Sequence, residues 1–532
     1  MLHVRTLICA ILLVLGAPAW AQTPANILMV GMRLDDLVTL DPAEVFEVSG
    51  AEIVANLYDR LIDTENGQPK GVLAESWKIS PDGRQYIFTL KKNAKFHSGK
   101  TVTAQDAAWS FQRAVKLDRG GALILKQLGL TAQNVALRAR AENDLTFVLD
   151  LDDALSPSLV WNILASYAAS VVDSRLGSQV EKDGDFASTW LRMKDGGSGP
   201  FRLELWRPGQ GVILGRFAPH HQGVPVPERV GIRHIPESSV QRLMLEKGDL
   251  DIARNLSPDD MDKLTANPDV TVIRVPQGGL FYIGMNMKVR ALADPKVRRA
   301  LKLLIDYDGI AKNILKGTKA VRQTILAQGF PGALSDTPYK LDIEAAKRLL
   351  AEAGYAKGLQ LTLDVRNVSP SIDIAQAIAA DFAKAGIALE IVQMDNKQLL
   401  TRYRARAHML TLAQWSPDYP DPHATIQGFA WNPDNADGSP YRLLAWRNGW
   451  NIPELTGLVQ AAKSERDTAK RLSHYEAAQR EALRDGPYAV MFQDMQILAL
   501  RKSVQGLRAG LTPDSMRYAD AKKSVAQKSI AK

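Results

Sequence analysis

Apolar and polar residues alternate along the chain in two recurring patterns, one with the period of a strand and one with that of a helix. Tyr86–Leu90 is rich in β-forming residues and follows Ser80–Gly83. In that segment Pro81 presets φ and Gly83 accepts a positive φ, which is typical of a turn. The two segments together predict a turn leading into a strand.

Helical patterns have recognisable first and last residues. Thr103 is a suitable N-cap, and Asp106 stands three residues later, near the positive end of the helix dipole. Leu341–Leu350 is amphipathic and is followed by Gly354, which predicts a helix that ends there. The apolar segment Ser158–Val172 is interrupted by polar residues, and we interpret it as a buried core helix rather than a membrane span.

One stretch combines both patterns. Gln360–Val365 predicts a strand, Ile372–Ala385 a helix closed by Gly386, and Ala388–Gln393 a second strand. This order is a βαβ unit. Helices and strands alternate in the same way throughout, so the fold class is mixed α/β.

The first 21 residues have the organisation of a secretory signal peptide. Arg5 supplies positive charge, Leu7–Val14 is an unbroken apolar run, and Ala19–Ala21 is an A-x-A cleavage signal. The run is too short to span a bilayer permanently. The pattern therefore predicts export with removal of residues 1–21.

The single cysteine constrains both anchoring and chemistry. Cys9 lies inside the apolar run and follows Ile8, whereas a lipid-carrying cysteine would follow the run and a small residue. We therefore predict no membrane anchor. The chain after the signal peptide has no cysteine, which excludes disulfides, thiolate metal sites and a cysteine nucleophile.

Size and charge restrict the remaining possibilities. A chain of 532 residues is too long for one compact core and should form two or more domains. Its net charge of +8 is small for its length, and no basic run appears before the Lys/Ala/Ser-rich tail after Tyr518. We predict a solvated surface rather than a nucleic-acid interface.

Motifs of catalysis are missing. The sequence contains neither H-E-x-x-H nor G-x-S-x-G. Ser98–Thr101 resembles the end of a phosphate-binding loop, but Ala94 stands where that motif needs its first glycine. We interpret the segment as a hairpin turn between Phe96 and Val102.

The histidines do not show a metal-ligand spacing. Only His220 and His221 are neighbours, and adjacent residues on a strand point to opposite faces. We therefore predict no metal site and no cofactor. The histidines that follow the signal peptide are His97, His220, His221, His234, His408, His423 and His474.

The segment Trp415–Pro422 carries the most chemical information. It follows the apolar run Met409–Ala413, a predicted strand, and its prolines favour an extended loop beyond the strand end. Ligands of open α/β sheets lie outside such strand ends. Two rings, Trp415 and Tyr419, accompany two aspartates, a combination suited to a cationic, partly apolar ligand. A surface turn whose aspartates cap backbone amides explains the same residues equally well.

A series of short motifs occurs in a fixed order along nearly the whole chain after the signal peptide. They are Leu40–Pro42, Asn56–Asp59, Leu73–Trp77, Ser80–Gly83, Phe96–Gly99, Thr103–Asp106 with Ser110, Phe111 and Arg113, Gly199–Phe201, Asp294–Arg298 with Ala300, Leu301, Ile305 and Asp306, Ala345–Gly354 and Asp418–Pro422. In this order and spacing they resemble the extracellular solute-binding proteins of family 5, the peptide/nickel/opine class that serves ABC importers.

The resemblance implies a two-lobed periplasmic-binding-protein fold of type II, with an extra domain inserted in the first lobe and a hinge between the lobes. The chain is expected to cross between lobes near Tyr282–Asn286 and to return near Gln496. The implied divisions are the signal peptide (1–21), the first part of lobe 1 (22–59), the inserted small domain (60–186), the second part of lobe 1 (187–281), lobe 2 (282–495), and the lobe 1 return with the C-terminal tail (496–532).

The resemblance also implies roles for individual residues of this chain in ligand binding. Asp418 stands where peptide-binding members place an aspartate against the ligand's α-ammonium. Trp415 stands where an aromatic lines the cleft, and Tyr419 adds the second ring of that loop. The segment Phe46, Glu47 and Val48 matches the one whose backbone meets the peptide.

At two positions this sequence differs from the pattern of the oligopeptide-binding members, and three further residues are candidates for the binding site. Phe46 and Leu412 occupy positions where an oligopeptide binder can carry an acid and an arginine. Arg442 and Arg447 are candidate partners of a ligand carboxylate, with ordinary surface arginines as the alternative. Tyr282 is a candidate cleft residue, with a core tyrosine as the alternative.

The resemblance thus implies a monomeric periplasmic protein without catalytic activity. It would capture a small amine-bearing ligand, such as a di- or oligopeptide or an opine-like amino-acid conjugate, and deliver it to the permease subunits of an ABC importer in the inner membrane. One alternative is a nickel-type metal-chelate binder of the same fold using His408 or His423. Another is a periplasmic peptide hydrolase, and a sensory role that feeds a chemoreceptor is also open.

Overall fold

A computed structural model describes residues 23–65 and 67–524. The signal peptide predicted for residues 1–21, Cys9 within it, and the end of the tail lie outside the described residues. Within the described residues no helix combines the length and apolarity needed to cross a membrane.

The chain first builds one edge of the molecule and then a small separate sheet. The elements up to residue 191 are β1 (Ile27–Met32), α1 (Val48–Leu57), β2 (Ile62–Glu65), β3 (Gln68–Gly71), β4 (Ala74–Ile79), β5 (Gln85–Leu90), α2 (Ala104–Leu117), α3 (Gly120–Leu125), α4 (Val135–Arg138), β6 (Ala139–Asn143), β7 (Thr146–Asp150), α5 (Pro157–Leu164), α6 (Ser174–Val180) and α7 (Ser188–Leu191).

The middle of the chain returns to the main sheet. It forms β8 (Phe201–Arg207), β9 (Gly211–Arg216), β10 (Arg229–His234), α8 (Ser238–Lys247), β11 (Ile252–Arg254), α9 (Pro258–Thr265) and the long strand β12 (Val270–Met285).

The remaining elements complete the sheet and cover it with helices. They are α10 (Arg290–Ala293), α11 (Pro295–Leu303), α12 (Tyr307–Ile310), β13 (Lys319–Val321), α13 (Ile343–Glu352), β14 (Leu359–Arg366), α14 (Ser371–Lys384), β15 (Ile387–Met394), α15 (Asn396–Arg404), β16 (Leu410–Trp415), α16 (Pro422–Ala430), α17 (Leu444–Arg447), α18 (Pro453–Ser464), α19 (Thr468–Asp485), β17 (Tyr488–Arg501), β18 (Val504–Gln505) and β19 (Lys522–Lys523).

A mixed sheet of eleven strands runs through the described residues, in the order β15-β14-β16-β12-β17-β11-β1-β10-β9-β8, with β13 paired to β17. We call the half with β8–β11 and β1 the first lobe, and the half with β14–β16 the second lobe. The antiparallel strands β12 and β17 belong to both halves. The two-lobed α/β fold is therefore confirmed.

The crossing between the lobes lies at an interruption in the β12–β17 pairing. Pro276 is opposite Met495, whereas Leu280 is opposite Gln493, so the register shifts between these pairs. From Leu280 onward β12 also pairs with β16 of the second lobe. The chain thus crosses a few residues before the expected Tyr282–Asn286, because one continuous strand serves both lobes and its apolar pattern does not mark the change.

The small domain is a four-stranded antiparallel sheet, β4-β5-β7-β6, between β3 and β8 in the chain. Its apolar residues, among them Phe88 and Phe111, share one hydrophobic cluster with first-lobe residues such as Val30 and Val54. The small domain is therefore packed continuously onto the first lobe.

A buried ion pair explains two of the sequence motifs. Arg113 on α2 donates two hydrogen bonds to Asp41, at 2.8 and 2.7 Å, and both side chains are essentially inaccessible. A bidentate pair of this kind fixes orientation as well as distance. These motif residues join the small domain to the first lobe instead of contacting a ligand.

Most local predictions agree with the structure. The Thr103 amide donates to Asp106 at 2.8 Å at the start of α2. The predicted βαβ unit is β14-α14-β15, with parallel strands. Lys95 pairs with Thr101 around the turn that was interpreted as a hairpin.

The long buried helix predicted for Ser158–Val172 is wrong in extent. Helix α5 ends at Leu164, and a short 3₁₀ turn occupies Tyr167–Ala169. The Ser166 and Ser170 hydroxyls donate to carbonyls three residues earlier, at 2.7 and 2.6 Å. Such local side-chain bonds compete with helix continuation.

Candidate ligand-binding site

A cavity of about 720 Å³ lies where the two lobes meet at the crossing strands. Its lining comes from the start of α1, the small domain, both crossing strands and the loop after β16. The lining residues are Phe46, Glu47, Val48, Ala51, Tyr167, Arg254, Asn255, Leu256, Gln277, Gly278, Gly279, Thr318, Lys319, Gln414, Trp415, Ser416, Pro417, Asp418, Asp494, Met495, Gln496, Ile497, Leu511, Thr512, Pro513 and Asp514.

The loop after β16 is positioned by its own sequence. Trp415 is the last residue of β16, and Pro417 cannot continue the sheet because it has no amide hydrogen. Helix α16 begins at Pro422. Its N-cap residue is Asp421, whose side chain accepts a hydrogen bond from the His423 amide at 2.8 Å. The loop between these ends faces the cavity with Trp415 and Asp418.

Trp415 is held by α16. Its ring lies edge-on to Phe429, with centroids 6.3 Å apart. A methyl group at Gly428 would come within 2.9 Å of the indole, so only glycine allows this approach. The buried indole N–H has no acceptor among the described residues.

Asp418 is the cavity carboxylate that makes neither a hydrogen bond nor an ion pair with any described residue. Burial raises the pKa of Asp418 to about 6. Burial, and secondly the Asp418 charge, also raise the pKa of the Tyr167 phenol on the opposite, small-domain side. An uncompensated carboxylate in such a place favours a cationic partner.

The other charged groups of the cavity have partners in the protein. Lys319 pairs with Asp494 and lies over the Phe281 ring at 4.0 Å. Arg254 pairs with buried Glu52. Asp514 accepts from the Tyr167 amide at 3.1 Å.

Phe46, Glu47 and Val48 stand at the beginning of α1. Glu47 is the N-cap residue of that helix and accepts from the Phe46 amide at 3.2 Å. The apolar side chains of Phe46 and Val48 are exposed by 60% and 53%, although both are hydrophobic. The structure thus brings together on one cavity five of the nine candidate residues, which are Phe46, Glu47, Val48, Trp415 and Asp418.

Tyr282 does not face the cleft. Residues Leu280 and Tyr282 pack into the hydrophobic cluster on one face of β12, while Phe281 and Ile283 pack into the cluster on the other. Both faces of the strand are covered there, so its tyrosine is a core residue. The Tyr282 phenol lies 3.3 Å from that of Tyr403.

Tyr419, the second ring of the loop, also lies off the cavity. Its side chain is 3% exposed and packs into the cluster of the first lobe and small domain. It therefore contributes to contact between the lobes. Its buried hydroxyl has no hydrogen-bond partner among the described residues.

Arg442 and Arg447 are placed away from the cavity lining as well. The Arg442 guanidinium lies 5.3 Å from the Trp446 ring and donates to the Ser439 carbonyl. Arg447 lies 5.3 Å from the Tyr403 ring and donates to the Arg442 carbonyl. Neither arginine is therefore among the residues that line the cavity.

The two histidines of the metal-chelate alternative are core residues. Burial lowers the pKa of His408 to about 4 and that of His423 to about 3. His408 lies 3.2 Å from the Asn448 side chain, and His423 lies 3.0 Å from the Tyr475 hydroxyl. Neither of them lines the cavity, and none of the cavity-lining residues is a histidine.

Several cavity residues were not found from the sequence. Tyr167 lay inside the run that was interpreted as a continuous helix. Lys319 and Asp494 come from strands with no recognisable motif and meet only through the pairing of β13 with β17. Leu412, noted as a departure, is 2% exposed in the second-lobe core and does not reach the cavity.

Comparison with known proteins agrees with this fold. The family model of bacterial extracellular solute-binding proteins, family 5 (middle), matches residues 68–437. A probable D,D-dipeptide-binding periplasmic protein of Escherichia coli K12 is 29% identical, over 94% of this chain and 95% of that protein.

Solved structures show the same architecture. A Helicobacter pylori periplasmic binding protein in complex with the peptide STSA has a TM-score of 0.75 and 23% identity, covering 94% of this chain and 98% of that one. An Agrobacterium tumefaciens R10 binding protein in complex with mannopinic acid has a TM-score of 0.73 and 21% identity, covering 94% and 100%.

Proposed function

The chain belongs to the bacterial extracellular solute-binding proteins of family 5, and on that premise we propose that its cavity captures a small ligand through a protonated amine. The ligand class that fits is a di- or oligopeptide or an opine-like amino-acid conjugate. The protein would release it to the permease subunits of an ABC importer in the inner membrane. We further propose that it acts as a monomer in the periplasm, after loss of residues 1–21, and catalyses no reaction.

The unpartnered Asp418 carboxylate carries this proposal. Its charge is unfavourable in the empty cavity, as the raised pKa shows, and an ammonium group would compensate it. The two cationic residues that line the cavity, Lys319 and Arg254, already form ion pairs with carboxylates of the protein. A ligand amine therefore gains more from this cavity than a ligand carboxylate does.

Trp415 and the exposed side chains of Phe46 and Val48 complement that charge. An aromatic face beside a carboxylate suits an amine with an apolar neighbour, as in the N-terminal residue of a peptide. The cavity volume of about 720 Å³ lies within the range that holds small organic ligands. A ligand with an amine and a compact apolar group satisfies both features.

The E. coli relative named for D,D-dipeptides supports a dipeptide as the first ligand to test. A hydrolase would need an activated hydroxyl beside a base. Ser416, Thr318 and Thr512 line the cavity, but no histidine accompanies them. We therefore propose binding without turnover.

The first experiment identifies any small molecule that co-purifies with the protein. Mass spectrometry of small molecules released by denaturing the purified protein is expected to reveal amine-bearing compounds. Calorimetry with L,L- and D,D-dipeptides and with an opine then compares wild type with Asp418→Asn. Loss of a buried charge pair should weaken binding of an amine ligand at least tenfold.

The matched control is Asp308→Asn, an exposed aspartate outside this cavity. Its affinity should equal that of the wild type. Equal affinity of Asp418→Asn and wild type for every amine ligand that binds would overturn the proposed role of Asp418.

A further inference from the structure

A second polar cluster lies in the first lobe, apart from the ligand cavity. Asp59 follows α1, and His220 and His221 lie in the turn between β9 and β10. The exposed fractions of the side chains are 6%, 5% and 0%. Because the histidines occupy a turn and not a strand, their rings lie together, with centroids 4.7 Å apart. The expectation from the sequence that they point apart is therefore wrong.

The donor atoms are spaced as metal ligands are. His220 Nε2 lies 3.3 Å and His221 Nδ1 3.7 Å from the same oxygen, Asp59 Oδ2. One donor atom from each of the three residues lies within 4.8 Å of the others. Tetrahedral ligands about 2.0–2.1 Å from a zinc ion stand roughly 3.3 Å apart. Binding of an ion would draw the three donor atoms, now within 4.8 Å of one another, to that spacing.

The hydrogen bonds of His221 define its free nitrogen. Nε2 lies 3.0 Å from the Val72 carbonyl, which can only accept, so Nε2 carries the hydrogen. Nδ1 then carries a lone pair. This atom is buried, has no hydrogen-bond partner among the described residues, and faces the Asp59 carboxylate. Two acceptors that face each other in a buried place are stabilised by a cation bound between them. A ring N–H donated to a backbone carbonyl is also how proteins orient metal-binding histidines.

The Asp59 carboxylate has further contacts that hold it in place. Its Oδ1 lies 3.4 Å from His220 Nε2. The Ser198 hydroxyl supports Asp59 Oδ2 at 3.2 Å.

The surroundings leave space for a fourth ligand. Asp59 and His220 border a cavity of about 410 Å³, separate from the ligand cavity. Each of its three arginines lies near an acid: Arg60 is 3.4 Å and Arg517 3.9 Å from Asp63, and Arg508 is 2.6 Å from Asp520. Burial lowers the pKa of Lys91 and the Asp59 charge opposes that shift, so Lys91 lies near enough to Asp59 for its charge to reduce the affinity for a cation.

We propose that Asp59, His220 and His221 bind a divalent first-row transition ion of the zinc class, with the fourth position open to the 410 Å³ cavity. Two imidazoles and a carboxylate form a borderline donor set suited to such ions. The bound ion would connect the end of α1 to the β9–β10 turn. It would therefore stabilise the first lobe without entering the ligand cavity.

The experiment uses the mature, untagged chain, stripped with a chelator and titrated with Zn²⁺ alone in a calorimeter. One equivalent should bind, and thermal unfolding should shift upward with Zn²⁺. His220→Gln and His221→Gln should each weaken binding tenfold or more and remove the thermal shift. His474→Gln, on α19 outside the cluster, should change neither.

Two further measurements keep the result independent of variant folding. Asp59→Asn preserves shape and should also weaken Zn²⁺ binding. Anomalous scattering from a Zn²⁺-soaked wild-type crystal should place the ion between the three side chains. Absence of stoichiometric binding, full binding by the histidine variants, or an ion located elsewhere would each overturn the proposal.

Discussion

Asp418 illustrates how one residue can be costly for stability and still suited to binding. Its carboxylate shares the cavity with the Tyr167 phenol and the Trp415 ring, without a compensating cation among the described residues. Burial holds its pKa at about 6, so the folded empty protein binds a proton there more tightly than the unfolded chain does. The same imbalance makes an incoming ammonium favourable.

Ligand binding should therefore depend on pH through Asp418. Lowering the pH from 7 to 5 protonates a group with a pKa of about 6, and affinity for an amine ligand should fall roughly tenfold. Calorimetry at several pH values measures this. In Asp418→Asn the dependence should be much smaller, and an identical pH profile in both proteins would contradict the assignment.

Stability of the empty protein should respond in the opposite sense. Because the folded-state pKa is above the unfolded value, the penalty from Asp418 appears as the pH rises from 3.8 through about 6. At pH 7 Asp418→Asn should raise the free energy of unfolding, by up to about 3 kcal/mol. Urea unfolding at pH 7 and pH 4 tests this. A gain of the same size at both values would show that the ionised form is not responsible.

At the scale of elements, the position of the ligand loop depends on the contact between α16 and α19. Arg471 of α19 donates to both oxygens of Asp421, at 2.7 and 3.1 Å, and both side chains are buried. Asp421 also caps α16 and accepts from Asn162 at 2.8 Å. The aspartate at the end of the loop is thus structural, whereas the one in its middle faces the cavity.

Replacement of Arg471 should be strongly destabilising. Arg471→Met leaves the Asp421 carboxylate buried and unpaired, which costs about 3–5 kcal/mol in comparable cases. The free energy of urea unfolding measures the loss. Arg480→Met, an exposed residue of the same helix with a pair only at 3.9 Å, should change stability by less than about 0.5 kcal/mol. Similar losses in both variants would contradict a special role for the buried pair.

At the scale of the whole molecule, contacts join the small domain to the second lobe beside the cavity. Asn162 donates to Asp421 at 2.8 Å, and Arg471 donates to Ser158 at 2.7 Å. The Arg466 side chain donates to the Pro81 carbonyl at 3.0 Å. We propose that these contacts favour closure of the lobes, in competition with opening at the register shift between Pro276 and Leu280.

Removing one of them should shift that balance. Asn162→Ala loses a hydrogen bond to a charged group without touching the cavity lining, so the empty protein should open further and ligand affinity should fall several-fold. Small-angle X-ray scattering of empty and ligand-saturated protein measures the first effect, and calorimetry the second. The exposed control Asn313→Ala should behave as wild type. An unchanged radius of gyration and affinity in Asn162→Ala would argue against a closing role.

The sequence by itself determined the local elements, the α/β class and the family. Turn residues, caps and periodicity act over a few neighbours, which is why Thr103, Ser80–Gly83 and β14-α14-β15 agree with the structure. The ordered motifs gave the two-lobed architecture through resemblance, although Asp41 and Arg113 prove to be packing residues. Asp418 and Trp415 were found because strand end, prolines and polar residues are contiguous there.

Only the tertiary structure decided which side chains share a space. Tyr282 belongs to a strand with both faces covered, and a pattern along one strand cannot show what covers its second face. His220 and His221 both face Asp59 because they lie in a turn, where adjacent side chains need not point to opposite faces as they do in a strand. Lys319 meets Asp494 because two strands that are distant in the sequence pair with each other. Such contacts depend on chain closure over long separations, which neighbouring residues do not encode.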